Sequence, residues 1–189
     1  VKPSGFATEM KHQETEINAS KRPTKNQSGH IDFVTALDQL EQQLPKNRLL
    51  VTDGGRFMTE VWSRISVPHP KNFIHSANFA AIGQGLQQAI GAAIAKPDQF
   101  VCLFIGDGGF MLGAINEFNT AVRLNINSLV VVCNDSAYGA EYIQFKDRQM
   151  SPTLSQFDWP SFAEVATSLG GTGFKIANEK DLDLAVNQL

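Results

Sequence analysis

Two patterns of apolar residues alternate along this chain from residue 31 onward. Short, continuous apolar runs are typical of strands that are buried on both faces of a sheet. Between them, apolar residues recur every three or four positions, as in helices that bury one face. This alternation predicts an α/β fold, namely a doubly wound, mostly parallel sheet with helices on both faces.

Each element has its own sequence signal. The predicted strands are LLVTD at 49–53, NFIHS at 72–76, VCLFI at 101–105, SLVVVCN at 128–134 and GTGFKI at 171–176. The predicted helices lie at 31–45, 57–65, within 77–95, after residue 109, from about 160, and after Asn178, which is a helix cap together with Asp181. The polar, aromatic stretch from Asp135 to Asp158 has no clear period and is predicted to be an active-site loop.

The first 30 residues are polar, mixed in charge and without an apolar period, so they cannot bury enough surface to fold alone. We interpret residues 1–30 as a disordered linker that follows another domain, and residues 31–189 as the folded domain. The sequence ends directly after a helix, and we therefore expect this domain to be truncated at its C-terminus, with a final strand missing.

Charge and cysteine content narrow the class of protein. The formal net charge is −3 and the basic residues are scattered, so nothing indicates binding to nucleic acid or to an anionic membrane. No segment approaches the roughly 18 consecutive apolar residues that a membrane span needs. The N-terminal residues lack the charged-then-apolar pattern of a signal peptide. Cys102 and Cys133 lie in apolar runs and are predicted to be reduced core thiols. We expect a cytoplasmic protein with a small-molecule ligand.

The turn Gly106-Asp107-Gly108-Gly109 carries the first chemical signal. Glycines let backbone N–H groups approach a diphosphate closely, and a helix N-terminus favours the bound anion. Asp107 has the wrong charge to contact phosphate, unless a divalent cation such as Mg²⁺ lies between them. A solvated surface turn is the alternative interpretation.

Asn134 is the expected partner of Asp107. Gly109 to Cys133 make 25 residues, enough for one helix and one strand that cross over to the adjacent parallel strand. Asp107 and Asn134 should therefore follow two neighbouring strands, side by side.

This pairing resembles thiamine-diphosphate-dependent enzymes of the acetolactate synthase and 2-oxo acid decarboxylase group, whose signature is GDG, about 25 residues and then Asn-Asn. Here Cys133 replaces the first Asn. The resemblance implies thiamine diphosphate and Mg²⁺ as cofactors, bound by a thiamine-diphosphate-binding fold. It implies that Gly108 and Gly109 contact the diphosphate, and that the Mg²⁺ ligands are the side chains of Asp107 and Asn134 and the backbone carbonyl of Ser136.

Two further segments resemble the same family. SANFAAIGQGLQQAIGAAIA at 76–95 is similar to its SGGLGTMGFGLPAAIG-type segment, with Asn78, Ala80 and Gln87 as departures. By this resemblance, Ile82 holds the cofactor bent, and the carbonyl of Ala80 accepts a hydrogen bond from its aminopyrimidine.

TDGGRF at 52–57 is similar to the family's TDVGQH, in which the glycine and the next two residues hold the diphosphate. The corresponding residues here are Gly55, Arg56 and Phe57. Arg56 could bind phosphate, or it could be a solvated turn arginine. Phe57 could contribute only its backbone N–H.

The resemblance implies a lyase or carboligase that acts on a 2-oxo acid, similar to acetolactate synthase. A simple 2-oxo acid decarboxylase and a non-catalytic phosphate-binding module are the alternatives. In the family, the proton-shuttling glutamate belongs to a preceding pyrimidine-binding domain, in the same or another subunit. We therefore expect no catalytic residue in this chain, no activity of the chain alone, and a homodimer or homotetramer of the full-length enzyme.

Overall fold

The structure is a computed structural model, and it describes residues 31–75 and 78–188. The predicted linker at residues 1–30 lies outside these residues. The helices are α1 Phe33–Gln43, α2 Met58–Arg64, α3 Gly85–Ala95, α4 Asp107–Gly109, α5 Ile115–Arg123, α6 Gly139–Asp147, α7 Phe162–Ser168 and α8 Glu179–Val186. The strands are β1 Arg48–Thr52, β2 Phe73–His75, β3 Phe100–Gly106 and β4 Ser128–Cys133. A π-helical turn, Phe110–Ala114, joins α4 to α5. Short 3₁₀ turns cover Pro70–Asn72, Asn78–Ala80 and Thr153–Ser155.

The four strands form one parallel sheet in the order β2-β1-β3-β4. The chain runs outward from β1 to β2 and then returns across β1 to β3 and β4. This reversal creates a topological switch point between β1 and β3, which is where ligands bind in open α/β sheets.

Helices cover both faces of the sheet because successive residues of the buried strands point to opposite faces. On one face, Val51, Leu103 and Ile105 pack against α3 and the helix after β3. On the other face, Leu50 and Phe104 pack against α1 and α2. The predicted doubly wound α/β architecture is confirmed.

Helix ends follow the predicted signals. The side chain of Asp32 accepts hydrogen bonds from the backbone N–H groups of Val34 and Thr35 at the start of α1. Asn178 and Asp181 form a reciprocal capping box at the start of α8. Among the described helices, none is long and apolar enough to cross a bilayer.

Two predictions about secondary structure are wrong. Residues 171–176 form no strand: Gly173 packs closely against the backbone of Ala163 in α7, and glycines weaken extended pairing. The stretch from Asp135 to Asp158 is not an irregular loop, because it contains α6 and a 3₁₀ turn. Helix α6 has no buried residue, so it lacks the apolar period that would have revealed it.

Candidate cofactor-binding site

Two carboxylates lie at the switch point of the sheet. Asp53 directly follows β1 and Asp107 directly follows β3, which are hydrogen-bonded neighbours. The backbone N–H of Asp53 continues the ladder by donating to the carbonyl of Phe104 at 2.9 Å. Both residues are buried, with 0% and 2% of their surface exposed. Two buried acids at this position indicate a built polar site rather than a solvated turn.

Asp107 and Asn134 follow neighbouring strand ends, as their spacing predicted. The last register pair of β3 and β4 is Gly106 with Cys133, so the next residue on each strand is Asp107 and Asn134. Asp107 begins α4, and Asn134 is exposed at the start of the loop after β4. The structure therefore brings the two predicted metal ligands to adjacent positions of the backbone.

The loop after β4, which we call the metal loop (residues 134–138), is held in a defined conformation. The side-chain oxygen of Asn134 accepts a hydrogen bond from the backbone N–H of Ser136 at 2.9 Å. Ser136 has a left-handed backbone with φ 57°, which is uncommon for a non-glycine residue. Its carbonyl accepts a hydrogen bond from the N–H of Phe157 at 2.9 Å. A carbonyl has two lone pairs, so Ser136 keeps one for a cation.

The glycines after Asp107 leave no room for side chains. A Cβ added at Gly108 would stand 2.6 Å from the ring of Tyr138, and one added at Gly109 would stand 2.5 Å from Oδ2 of Asp53. Both glycines lie in the first helical turn after β3, where backbone N–H groups have no partner within the helix. This geometry fits an anion held by backbone N–H groups.

Ile82 lies across the two glycine turns. Its side chain is 45% exposed. Its Cγ1 is 3.4 Å from an ideal Cβ on Gly54, and its Cγ2 is 3.1 Å from one on Gly109. The structure thus places an exposed aliphatic side chain directly over the proposed diphosphate cradle.

A strained backbone precedes Ile82. Phe79 and Ala80 have φ values of 60° and 51°, and two consecutive non-glycine residues in the left-handed region are costly. Ala80 is exposed. Strain of this kind is typical of segments shaped for a ligand.

Asp53 is a site residue that the sequence analysis missed. Its Oδ2 accepts a hydrogen bond from the N–H of Gly83 at 2.7 Å, whereas Oδ1 has no partner with standard hydrogen-bond geometry. Burial raises the pKa of Asp53, and the backbone N–H groups of Gly83 and nearby residues only partly oppose this effect. Asp53 thus ties the bend that carries Ile82 to the end of β1. The signal was available, because Asp53 follows an apolar strand just as Asp107 does.

The turn after β1 places its three predicted residues differently. A Cβ added at Gly55 would stand 2.6 Å from the ring of Phe57. A Cβ added at Gly106 would stand 3.4 Å from the same ring. Phe57 therefore packs between the two turns. Arg56 points to the metal loop and forms an ion pair of 3.7 Å with Asp135. With 58% of the Arg56 side chain exposed, this pair is weak.

Cys133 stands where the resembled family has asparagine. Both cysteines are free, as predicted. Burial raises the pKa of the Cys133 thiol and raises that of Cys102 to about 12. The Cys133 side chain packs against the core cluster that includes Leu50 and Phe104, so it is not a candidate for holding the cation.

The donor set suits a hard cation. A carboxylate, a side-chain amide oxygen and a backbone carbonyl are the oxygen ligands that Mg²⁺ prefers. Within residues 31–75 and 78–188, no group of three or more His, Cys, Asp or Glu side chains could hold a metal ion. The predicted donor set contains only one carboxylate, together with one amide oxygen and one carbonyl oxygen, so it is not a group of that kind.

A separate cavity of about 610 Å³ lies between α5 and α7 and includes Ile115 and Leu169 in its lining. It contains none of the predicted site residues. We place the candidate site at the carboxyl ends of the strands, because the two buried acids and the glycines that have no room for a side chain lie there.

Comparison with known proteins gives a family match. The family model described as "Thiamine pyrophosphate enzyme, C-terminal TPP binding domain" matches residues 53–189. This range begins at the buried Asp53 and includes the glycine turns, the Ile82 bend and the metal loop.

Curated relatives and solved structures agree with this match. The chain is 28% identical over 159 residues to the acetolactate synthase isozyme 2 large subunit of Escherichia coli (strain K12), covering 81% of this chain and 28% of that protein. It is 30% identical over 157 residues to 2-hydroxyacyl-CoA lyase 2 of Homo sapiens, covering 80% of this chain and 24% of that protein. The fold matches the thiamine diphosphate-dependent 4-hydroxybenzoylformate decarboxylase of Rhodococcus jostii RHA1 with a TM-score of 0.77 and 22% identity, covering 88% of this chain and 32% of that one. The chain therefore spans about a quarter to a third of the length of these proteins.

Proposed function

Because this chain belongs to the family of thiamine pyrophosphate enzymes through its C-terminal TPP-binding domain, we propose that it forms the thiamine-diphosphate and Mg²⁺-binding half of an active site that acts on a 2-oxo acid. The proposed enzyme is a lyase or carboligase similar to acetolactate synthase. One observation carries this proposal: Asp107 and Asn134 follow register-paired strand ends beside a glycine turn that has no room for side chains.

Different residues of this chain would bind the metal ion and the diphosphate group of the cofactor. The side chains of Asp107 and Asn134 and the carbonyl of Ser136 would bind Mg²⁺. The backbone N–H groups of Gly108 and Gly109 would bind the diphosphate, which the cation would neutralise on its other side. Gly55, Arg56 and Phe57 would contribute from the turn after β1, with Arg56 leaving its weak pair with Asp135 to do so.

The bend before α3 would hold the rest of the cofactor. Ile82 would press against its two rings, and the carbonyl of Ala80 would accept a hydrogen bond from the aminopyrimidine. When bound, thiamine diphosphate supplies a carbon nucleophile for a substrate carbonyl and an electron sink. This chain's part is to orient that group, and we assign it no acid or base. A pyrimidine-binding domain of the same or another subunit would complete the site, in a homodimer or homotetramer.

Product analysis of the full-length protein tests the reaction class. The protein would be incubated with Mg²⁺, thiamine diphosphate and ¹³C-labelled 2-oxo acids, beginning with pyruvate, and the products would be followed by NMR. We expect an acyloin-type ligated product and CO₂. A free aldehyde would instead support a simple decarboxylase. The similarity to 2-hydroxyacyl-CoA lyase 2 supports testing a 2-hydroxyacyl-CoA as well.

The control variant is Asp107→Ala, which should form none of these products. If wild-type protein with bound cofactor converts no substrate of the panel, the enzymatic proposal is contradicted and the non-catalytic alternative gains support.

A further inference from the structure

We propose that Trp159 is a positioning residue for the metal ligand Asp107. The inference rests on the proposed function, because it assumes that Asp107 binds Mg²⁺. The indole N–H of Trp159 donates to Oδ2 of Asp107 at 2.8 Å, although the two residues are 52 positions apart. Asp107 is 2% exposed and Trp159 is half-buried, so this bond is partly shielded from water.

The backbone that carries Trp159 is joined to the metal loop. Ala137 and Gln156 form an antiparallel bridge. On either side of it, the N–H of Tyr138 donates to the carbonyl of Ser155, and the N–H of Phe157 donates to the carbonyl of Ser136, both at 2.9 Å. Residues 155–159 therefore form a strap. The strap supports one predicted ligand, Ser136, through its backbone and another, Asp107, through Trp159.

Aromatic packing fixes the indole ring. The rings of Phe157 and Trp159 are stacked, with centroids 4.5 Å apart and an interplanar angle of 16°. Tyr138 packs edge-on against Phe157 at 4.6 Å, and a Cβ added at Gly108 would stand 2.6 Å from the Tyr138 ring. Stacked aromatic rings hold their geometry better than flexible side chains do. The stacked ring therefore aims the N–H of Trp159 at Asp107.

The physical consequence is a preoriented carboxylate. A hydrogen bond to Oδ2 fixes the rotation of the carboxylate, so that the other oxygen is presented to a cation in a defined direction. Partners of this kind typically contribute about 10- to 100-fold to metal affinity. We expect the loss of the Trp159 N–H to weaken Mg²⁺ binding by about tenfold or more at saturating thiamine diphosphate.

The other tryptophan of the chain, Trp62, provides a matched control. The indole N–H of Trp62 donates to the hydroxyl of Thr52 at 3.1 Å. Trp62 lies on α2 and is 44% exposed. Trp62→Phe therefore removes a bond of the same kind without touching Asp107 or the metal loop.

The test is a calorimetric titration of Mg²⁺ into the full-length protein at saturating thiamine diphosphate. Wild type, Trp159→Phe and Trp62→Phe would be compared, together with protein that carries benzothienylalanine at position 159. That analogue keeps the two-ring shape of tryptophan and replaces the N–H with a sulfur atom, which cannot donate a hydrogen bond. Both changes at position 159 should weaken Mg²⁺ binding about tenfold or more, and Trp62→Phe should match wild type.

The possible failures are distinct. If wild type and Trp62→Phe bind Mg²⁺ but the analogue binds it equally well, Trp159 does not position the ligand. Tighter binding by the analogue would show that Trp159 competes with the metal, which also overturns the inference. If even wild type shows no cofactor-dependent Mg²⁺ binding, the proposed function fails and this inference fails with it.

Discussion

At the residue scale, the burial of the Asp53 carboxylate costs folding stability. It is fully buried, has one oxygen without a hydrogen-bond partner of standard geometry, and its pKa is raised by burial. A group whose pKa is higher in the folded state binds its proton more tightly there than in the unfolded chain. Its contribution to stability therefore falls as the pH rises from its ordinary pKa of 3.8 through the higher folded value.

The variant Asp53→Asn tests the predicted direction in which stability changes with pH. Asparagine keeps an oxygen that can accept the N–H of Gly83 but does not titrate. Between about pH 4 and pH 7, we expect the free energy of unfolding of the variant to rise relative to that of wild type. Urea unfolding at several pH values measures the difference. A difference that stays constant, or moves in the opposite direction, would contradict the account.

Contacts between residues far apart in sequence explain what the sequence could not predict. Asp107 and Asn134 were predictable because each follows an apolar strand at crossover spacing. The hydrogen bond from Trp159 to Asp107 joins residues 52 positions apart, and no periodic pattern encodes such a pair. The link between Asp53 and Gly83 spans 30 positions and was missed for the same reason.

At the element scale, the packing of α3 against the turn after β3 depends on glycine. Gly83 has φ 86°, and a Cβ there would stand 3.0 Å from the carbonyl of Gly109. An added Cβ at Gly113, in the π-helical turn, would stand 2.9 Å from the carbonyl of Gly83. The two segments thus approach backbone to backbone. The helices and strands on either side of this contact could be predicted from the period of their apolar residues. The prediction of a strand at 171–176 was wrong, because the local apolar content did not show that Gly173 packs against α7.

Gly109→Ala tests the close packing of the turn after β3 against Asp53 and Ile82, with Gly91→Ala as its control. An added methyl at Gly109 would stand 2.5 Å from Oδ2 of Asp53 and 3.1 Å from Ile82, whereas one at Gly91 would meet no atom within 4 Å. Overpacking should cost about 1–3 kcal/mol at position 109. Alanine in the helix at position 91 should add about 0.5–1 kcal/mol of stability. Urea unfolding of both variants checks the pair, and equal effects would show that the turn has room to adapt.

At the scale of the whole molecule, three strongly exposed apolar side chains belong to segments that are next to site residues in the sequence. Phe79 is fully exposed, Leu154 is 89% exposed and Leu112 is 62% exposed. Exposed apolar side chains of this size are typical of surfaces that meet another domain or subunit. They support the proposal that another domain packs against these segments, and the chain spans only about a quarter of the length of its curated relatives.

The central claim is that Asp107 anchors thiamine diphosphate through Mg²⁺. The most direct measurement is a calorimetric titration of thiamine diphosphate into the full-length protein, with Mg²⁺ or with a chelator present. Asp98→Ala is the matched control, because Asp98 is exposed in the turn before β3. We predict saturable, Mg²⁺-dependent binding by wild type and Asp98→Ala, and none by Asp107→Ala. Binding that survives both the chelator and Asp107→Ala would contradict the account.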